Sequence, residues 1–185
     1  MKLTTRITLV FLISVLAILV SAWVSHTNTE KINETRNWVE HTQVVIGRLD
    51  RLFSLIKESE TFMRGILVTR EARMTAGYEK ATSECRGVIE EVKSLTADNP
   101  LQAQRLAEFQ TLYEARLGEW KELRAVTAPI GSASWQEVLK RSFESQFATK
   151  LKNLIEDMKL DEQNLLKART QSALQSVETS QQATF

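Results

Sequence analysis

Proline, glycine and cysteine are scarce in this 185-residue chain, at two, six and one. Each scarcity excludes something. With Cys85 alone, no intrachain disulfide framework can hold the fold, so an apolar core must. So few breakers in a chain rich in Ala, Leu, Glu, Gln, Lys and Arg imply a fold that is mostly helix. No stretch alternates apolar and polar residues with the period of two that a half-buried strand requires. Neither sign of charge dominates, since the formal net charge is +1. Lys and Arg are scattered among Asp and Glu, without a basic stripe or interleaved aromatics, which argues against a nucleic-acid partner. Also missing are a Gly-rich phosphate loop, a G-x-S-x-G elbow, H-E-x-x-H and C-x-x-C.

The remaining reactive side chains do not assemble into a constellation. His26 and His41, the two histidines, would lie about 22 Å apart along one helix at 1.5 Å per residue. They cannot share a metal ion, and His41 is expected to pack or hydrogen-bond beside an apolar seam. Cys85 has no basic residue one turn away to lower its pKa, and reads as a small buried hydrophobe. Glu90-Glu91 and Asp161-Glu162 are neighbours on a helix, so each pair diverges by about 100° and cannot act as an acid/base dyad. The expectation is a chain with no catalytic site, metal or cofactor of its own.

What the chain does contain begins at its N-terminus. After Lys2 and Arg6, the run ITLVFLISVLAILVSAWV (Ile7 to Val24) carries no charge. At 1.5 Å per residue it covers roughly 27 Å of helix, enough for a bilayer core. The preceding positive charges place Met1 in the cytoplasm and everything after Val24 outside, with Trp23 in the outer interfacial belt. Val20-Ser21-Ala22 loosely fits a cleavage site for a signal peptide, but the length of the run favours an uncleaved anchor.

Beyond the anchor the pattern is a heptad. Trp38, Thr42, Val45, Leu49, Leu52, Ile56, Ser59, Met63 and Ile66 recur in steps of four and three, as in helices packed nearly in line. A second seam runs through Tyr78, Ala81, Cys85, Val88, Val92 and Leu95, and stops at TADNP. There Asp98 or Asn99 can cap a helix whose first position suits Pro100. The third helix, from Pro100 to about Ala128, turns Leu106, Phe109, Tyr113, Leu117, Trp120 and Leu123 inward. Pro129 and Gly131 make the next turn. Ser134-Trp-Gln-Glu137 reads as a capping box opening a fourth helix with Trp135, Leu139, Phe147, Leu151, Leu154, Met158 and Leu165 on its core face.

The expected fold is all-α: a transmembrane helix, then an antiparallel up-down-up-down four-helix bundle. Its first and fourth helices, each about 60 Å, exceed the middle pair by about 20 Å and form a membrane-side stalk. The boundaries are a cytoplasmic 1–6, a membrane helix over 7–24, the extracytoplasmic bundle over 28–170 and a polar tail over 171–185. The turns after Val68 and at Pro129 then share the far tip. There Glu60 and Arg64 stand four apart in the favourable acid-first order. Gly65, poor for a helix, implies close approach of another backbone, from the third or fourth helix. Glu60, Arg64 and Gly65 are either a packed bundle end with an ion pair or part of a ligand pocket. Trp120 and Trp135, flanking the second tip turn, either pack in the core or cap a small apolar or aromatic ligand.

Four motifs carry a resemblance: Trp38-Val-Glu-His-Thr42; Glu60-Thr61 with Arg64-Gly65-Ile-Leu-Val-Thr69; Thr96-Ala-Asp-Asn-Pro100 with Gln102 and Arg105; and Asp161-Glu-Gln-Asn-Leu-Leu-Lys-Ala-Arg169. Together they resemble the CHASE domain of the third class, an extracellular sensory domain of bacterial histidine kinases, cyclases and chemoreceptors. Phe62-Met63, Ile66 and Arg70 depart from its usual pattern, Arg70 standing where that family has Gly after the Thr. The resemblance implies a four-helix bundle and a core motif that includes Trp38, His41, Leu165 and Leu166. It also implies a homodimer in the bacterial inner membrane, and a second membrane helix leading to a cytoplasmic output module. Neither of those last two lies within these residues, so the expectation is the front end of a longer receptor. The expected function is the sensory input of a signalling receptor, foremost a histidine kinase, relaying a small-molecule or protein stimulus by helix rearrangement. The alternatives are the ligand-binding region of a methyl-accepting chemotaxis receptor and a single-pass helical adaptor that binds a partner protein.

Overall fold

The computed structural model describes residues 3–182 apart from Ser145, with side chains described over 7–175 apart from Asn28 and Ser145. The basic side chains of Lys2 and Arg6, on which the expected orientation rests, and the side chains of the tail from 176 onward lie outside those limits. Among the described residues there are five helices: α1 (Leu3–Thr69), α2 (Ala72–Leu95), α3 (Pro100–Ala125), α4 (Ala133–Glu144) and α5 (Phe147–Gln182). Among the described residues there is no strand. The all-helical reading therefore holds, with one difference of detail. The expected fourth helix comes as two segments, α4 and α5, on either side of Ser145.

Two compact units divide the chain: Met1–Thr42 with Asn164–Phe185, and Gln43–Gln163. The core lies in the larger one. Val45, Leu49, Leu52, Ile56 and Met63 of α1 are fully buried, and so is the polar seam residue Ser59, whose hydroxyl donates back to the Ile56 carbonyl at 2.8 Å. Val45, Leu49, Leu52 and Ile56 meet Cys85, Val88, Ile89 and Val92 of α2, Leu106, Phe109 and Tyr113 of α3, and Leu151, Leu154, Ile155 and Met158 of α5, while Met63 packs with Trp120, Leu123 and Val138. Burying each such aliphatic side chain is worth about 1.5–3 kcal/mol against leaving it in water. Nothing else in a chain without disulfides supplies stabilisation on that scale. Solvated pairs bind the rods more weakly: Arg48–Glu91 at 2.8 Å and Arg51–Glu84 at 2.6 Å join α1 to α2, and Lys159–Asp50 at 2.9 Å joins α5 to α1. Each such pair adds about 0.2–1 kcal/mol.

The helix ends follow local chemistry. Asn99 caps α3, its side-chain oxygen accepting from Gln102 N at 3.3 Å, with Pro100 at a position that needs no amide. At α4 the capping residue is Ser132, not the expected Ser134: Ser132 Oγ accepts from Trp135 N at 3.2 Å and its carbonyl accepts from Gln136 N at 3.0 Å. The helix begins two residues early because Gly131, at φ +86°, completes the turn from Pro129 and frees Ser132 for the cap.

In the smaller unit the run Ile7–Val20 is exposed throughout, with Phe11 69% and Ile18 68% accessible. Among the described residues α1 is the helix long and apolar enough to cross a membrane, and none of its apolar stretch is buried inside the chain. Trp38 lies at the border of exposure, at 37%, although the heptad pattern turns it inward. This unit draws only on α1 and α5, and two helices form a ridge that cannot enclose an indole. Instead Arg169 stacks on the Trp38 ring, 3.6 Å from its centroid, and His41 meets it edge-on at 6.4 Å. Leu165 and Leu166 are half-buried.

Candidate functional site

Two turns meet at one end of the larger unit, and their proximity is built from side-chain to backbone bonds. α1 ends because Arg70 takes φ +55°, the left-handed conformation that closes a helix, while its amide still donates to Ile66 O at 3.0 Å. A non-glycine residue pays roughly 1–2 kcal/mol for that geometry. The Arg70 guanidinium then reaches across to the carbonyl of Ala128, in the segment linking α3 to α4. In the opposite sense, Trp135 on α4 donates its indole N–H to the Leu67 carbonyl at 3.0 Å, satisfying an acceptor that the end of α1 leaves free.

Between these two links lies a cavity of about 290 Å³. Ile66, Leu67, Val138 and the Trp135 indole form its apolar side; Arg70 and Arg124 are its charged groups. Arg124 also lies over the Tyr78 ring, 5.7 Å from the centroid.

Below the cavity sits a buried polar layer. Arg116, 1% exposed, gives Nη2 to Glu60 at 3.1 Å and Nη1 to Glu119 at 2.5 Å. Its guanidinium stands 4.6 Å from the Trp120 ring centroid, and Trp120 meets Tyr78 edge-on at 5.7 Å. Burial holds the Tyr78 hydroxyl above its usual pKa against the pull of Arg124. Arg64 is only a distant partner of Glu60, at 3.9 Å, and lies 4.8 Å from the Phe143 ring centroid.

The residues singled out from the sequence thus fall into three settings. Trp135 lines the cavity; Glu60 and Trp120 belong to the buried layer, and Arg64 stands at its edge. Gly65 packs elsewhere. A Cβ there would come within 2.8 Å of Met74 Sδ, so its close neighbour is a side chain of α2, and not the backbone of a third or fourth helix. α2 folds straight back after the two-residue turn at Arg70 and Glu71, which brings Met74 onto the last turns of α1.

Sequence reasoning misses Arg70, Arg116 and Arg124. For Arg116 the signal is available. Gln102, Leu106, Phe109, Tyr113, Arg116, Trp120 and Leu123 step by four and three without a break, and all are buried. Choosing the apolar Leu117 over Arg116 departs from that count, and Leu117 is only partly buried. Gln102 belongs to a second polar layer, donating to Met158 O at 2.8 Å and to the buried Glu162 at 3.1 Å.

No described group of three His, Cys, Asp or Glu side chains is placed to hold a metal ion. Cys85 is fully buried, and desolvation pushes its thiol up to about 11, with Tyr113 pulling the other way. The geometry is that of a cavity with two guanidinium groups in its lining, near a buried, ion-paired layer. Residues 35–172 match the family model of the CHASE3 domain. No curated protein and no solved structure matches the chain.

Proposed function

This chain belongs to the CHASE3 family, whose members are extracellular sensory domains of signalling receptors, and from that premise we propose that it is the membrane-anchored input module of a bacterial receptor. The observation that carries the reading is the order of parts: an unburied apolar helix long enough to span a bilayer, then the family match over 35–172. The apolar run anchors the chain in the inner membrane, with Met1 in the cytoplasm and the larger unit outside. The output module is a histidine kinase, and the chain itself performs no chemistry.

The mechanism is mechanical. Reversed pairing of Arg48 and Arg51 with Glu91 and Glu84 supports an up-down order of rods. Packed interiors change between discrete arrangements. A stimulus shifts the balance by its difference in affinity for the two. α1 and α5 transmit the change, since each supplies residues to both units. Two copies pair through the smaller unit, where Ile32 and Leu174 are 66% and 60% exposed beside a groove they both line.

Membrane-impermeant maleimide tests the placement. Ser83 lies exposed on α2, in the larger unit. In a Cys85→Ser background, Ser83→Cys in intact cells should react at once, while Thr5→Cys should react only after permeabilisation. The reverse pattern refutes an extracytoplasmic sensor. Disulfide crosslinking scanned over Asn33 to Val44 tests the pairing, and an absence of crosslinks at every position refutes it.

A further inference from the structure

The cavity between the α1–α2 turn and the α3–α4 segment has an electrostatic imbalance. Arg48, Arg51, Arg64, Arg86, Arg105 and Arg116 each have a carboxylate partner. Arg70 and Arg124 face one cavity whose lining contains no acidic residue. Arg70 donates to a neutral carbonyl, and Arg124 lies over a phenol ring. Two guanidinium groups around one space, without a described carboxylate to neutralise them, make a site that favours an anion.

The rest of the wall selects which anion. Ile66, Leu67 and Val138 are apolar, and the Trp135 indole is held in place by its bond to Leu67 O. An inorganic anion would leave that surface wet. A volume of about 290 Å³ sits at the low end for small-molecule pockets, which begin near about 300 Å³, and is too small for a peptide. We propose that the cavity binds a small organic monocarboxylate with an apolar, ring-sized body. Arg70 and Arg124 hold the carboxylate, and the body lies against Trp135 and Val138. The inference rests on the sensory reading above and names its ligand class. It also identifies what binding changes: the carboxylate competes with the Ala128 carbonyl for Arg70, so occupancy loosens one of the two links between the turns.

The test is calorimetric titration of the full chain in lipid nanodiscs with benzoate, phenylacetate and cyclohexanecarboxylate, using benzamide and inorganic phosphate as controls. At least one of the three carboxylates should bind at one site per chain, with benzamide and phosphate at least tenfold weaker. Arg124→Gln should lose at least tenfold in affinity. Arg70→Gly should lose as much while still folding, because glycine adopts φ +55° freely; retained cooperative thermal unfolding verifies that. Failure of all three carboxylates, equal binding of benzamide or phosphate, or affinity unchanged in both variants overturns the proposal. Those results leave the sensory reading standing if maleimide labelling is as expected. Labelling from the cytoplasmic side alone removes that reading whatever the cavity binds.

Discussion

Replacing Arg116 by Met asks how much the buried polar layer contributes. The guanidinium is 1% exposed and joins Glu60 at 3.1 Å and Glu119 at 2.5 Å. Without it the two carboxylates fare differently. Glu119, with 22% of its side chain accessible, can turn to water; Glu60, with 8%, cannot. The remaining cation near Glu60 is Arg64 at 3.9 Å, itself about a third exposed, and a pair so long and wet compensates little. Stranding a buried charge costs about 3–5 kcal/mol. Met fills the volume of the Arg stem beside Trp120, which keeps the expected loss near the lower end, about 3 kcal/mol. For a chain of this size that lowers Tm by about 6–12 °C, measured by circular dichroism on the nanodisc-bound chain. Glu60→Gln should cost less, about 1–2 kcal/mol, because Arg116 keeps Glu119. The double variant should then lose less than the sum of the two, with a coupling of at least about 1 kcal/mol. A loss below about 1 kcal/mol for Arg116→Met, or strict additivity, refutes the view that this layer is a coupled buried ion cluster.

Two further outcomes follow from packing and burial. A Cβ at Gly77 would sit 2.4–2.6 Å from the Phe62 ring, which would have to leave its place, whereas Gly87 has nothing within 4 Å. Gly77→Ala should therefore destabilise by about 1–3 kcal/mol and Gly87→Ala stabilise by about 0.5–1 kcal/mol, with opposite shifts of Tm; shifts of the same sign would contradict the packing. The Cys85 thiol is raised by desolvation from 9.0 to about 11. Its contribution to stability is complete below pH 9 and is lost as pH rises toward 11, because the unfolded chain releases the proton first. Urea titrations across that window should show stability falling less steeply in Cys85→Ala, and the native thiol should stay unreactive to maleimide at neutral pH.

Much of this is legible in the chain because packing repeats. The four-and-three steps from Val45 to Ile66 name the buried face of α1 residue by residue, and Asn99-Pro100 names the start of α3. Reading fails where charge enters the pattern. Arg116, Gln102 and Glu162 occupy core positions, and they are tolerated there only because each finds a partner on another helix, which no local rule anticipates. The cavity is hidden for a similar reason: Arg70 and Arg124 are far apart in sequence and are brought together by two turns. Arg70 does leave a trace. It occupies a left-handed position suited to glycine, and glycine is what the resemblance leads one to expect after Thr69.

The two polar layers also set the kind of movement this protein can make. A purely apolar seam would tolerate sliding by one heptad, about 10.5 Å, since one leucine replaces another. Here such a slip would pull Arg116 off Glu60 and Gln102 off Glu162, at two separate heights. They act as index marks, fixing the vertical alignment of α3 against α1 and α5. A heptad's axial slip of α3 is thereby disfavoured, and any rearrangement that keeps both partners within reach comes at lower cost.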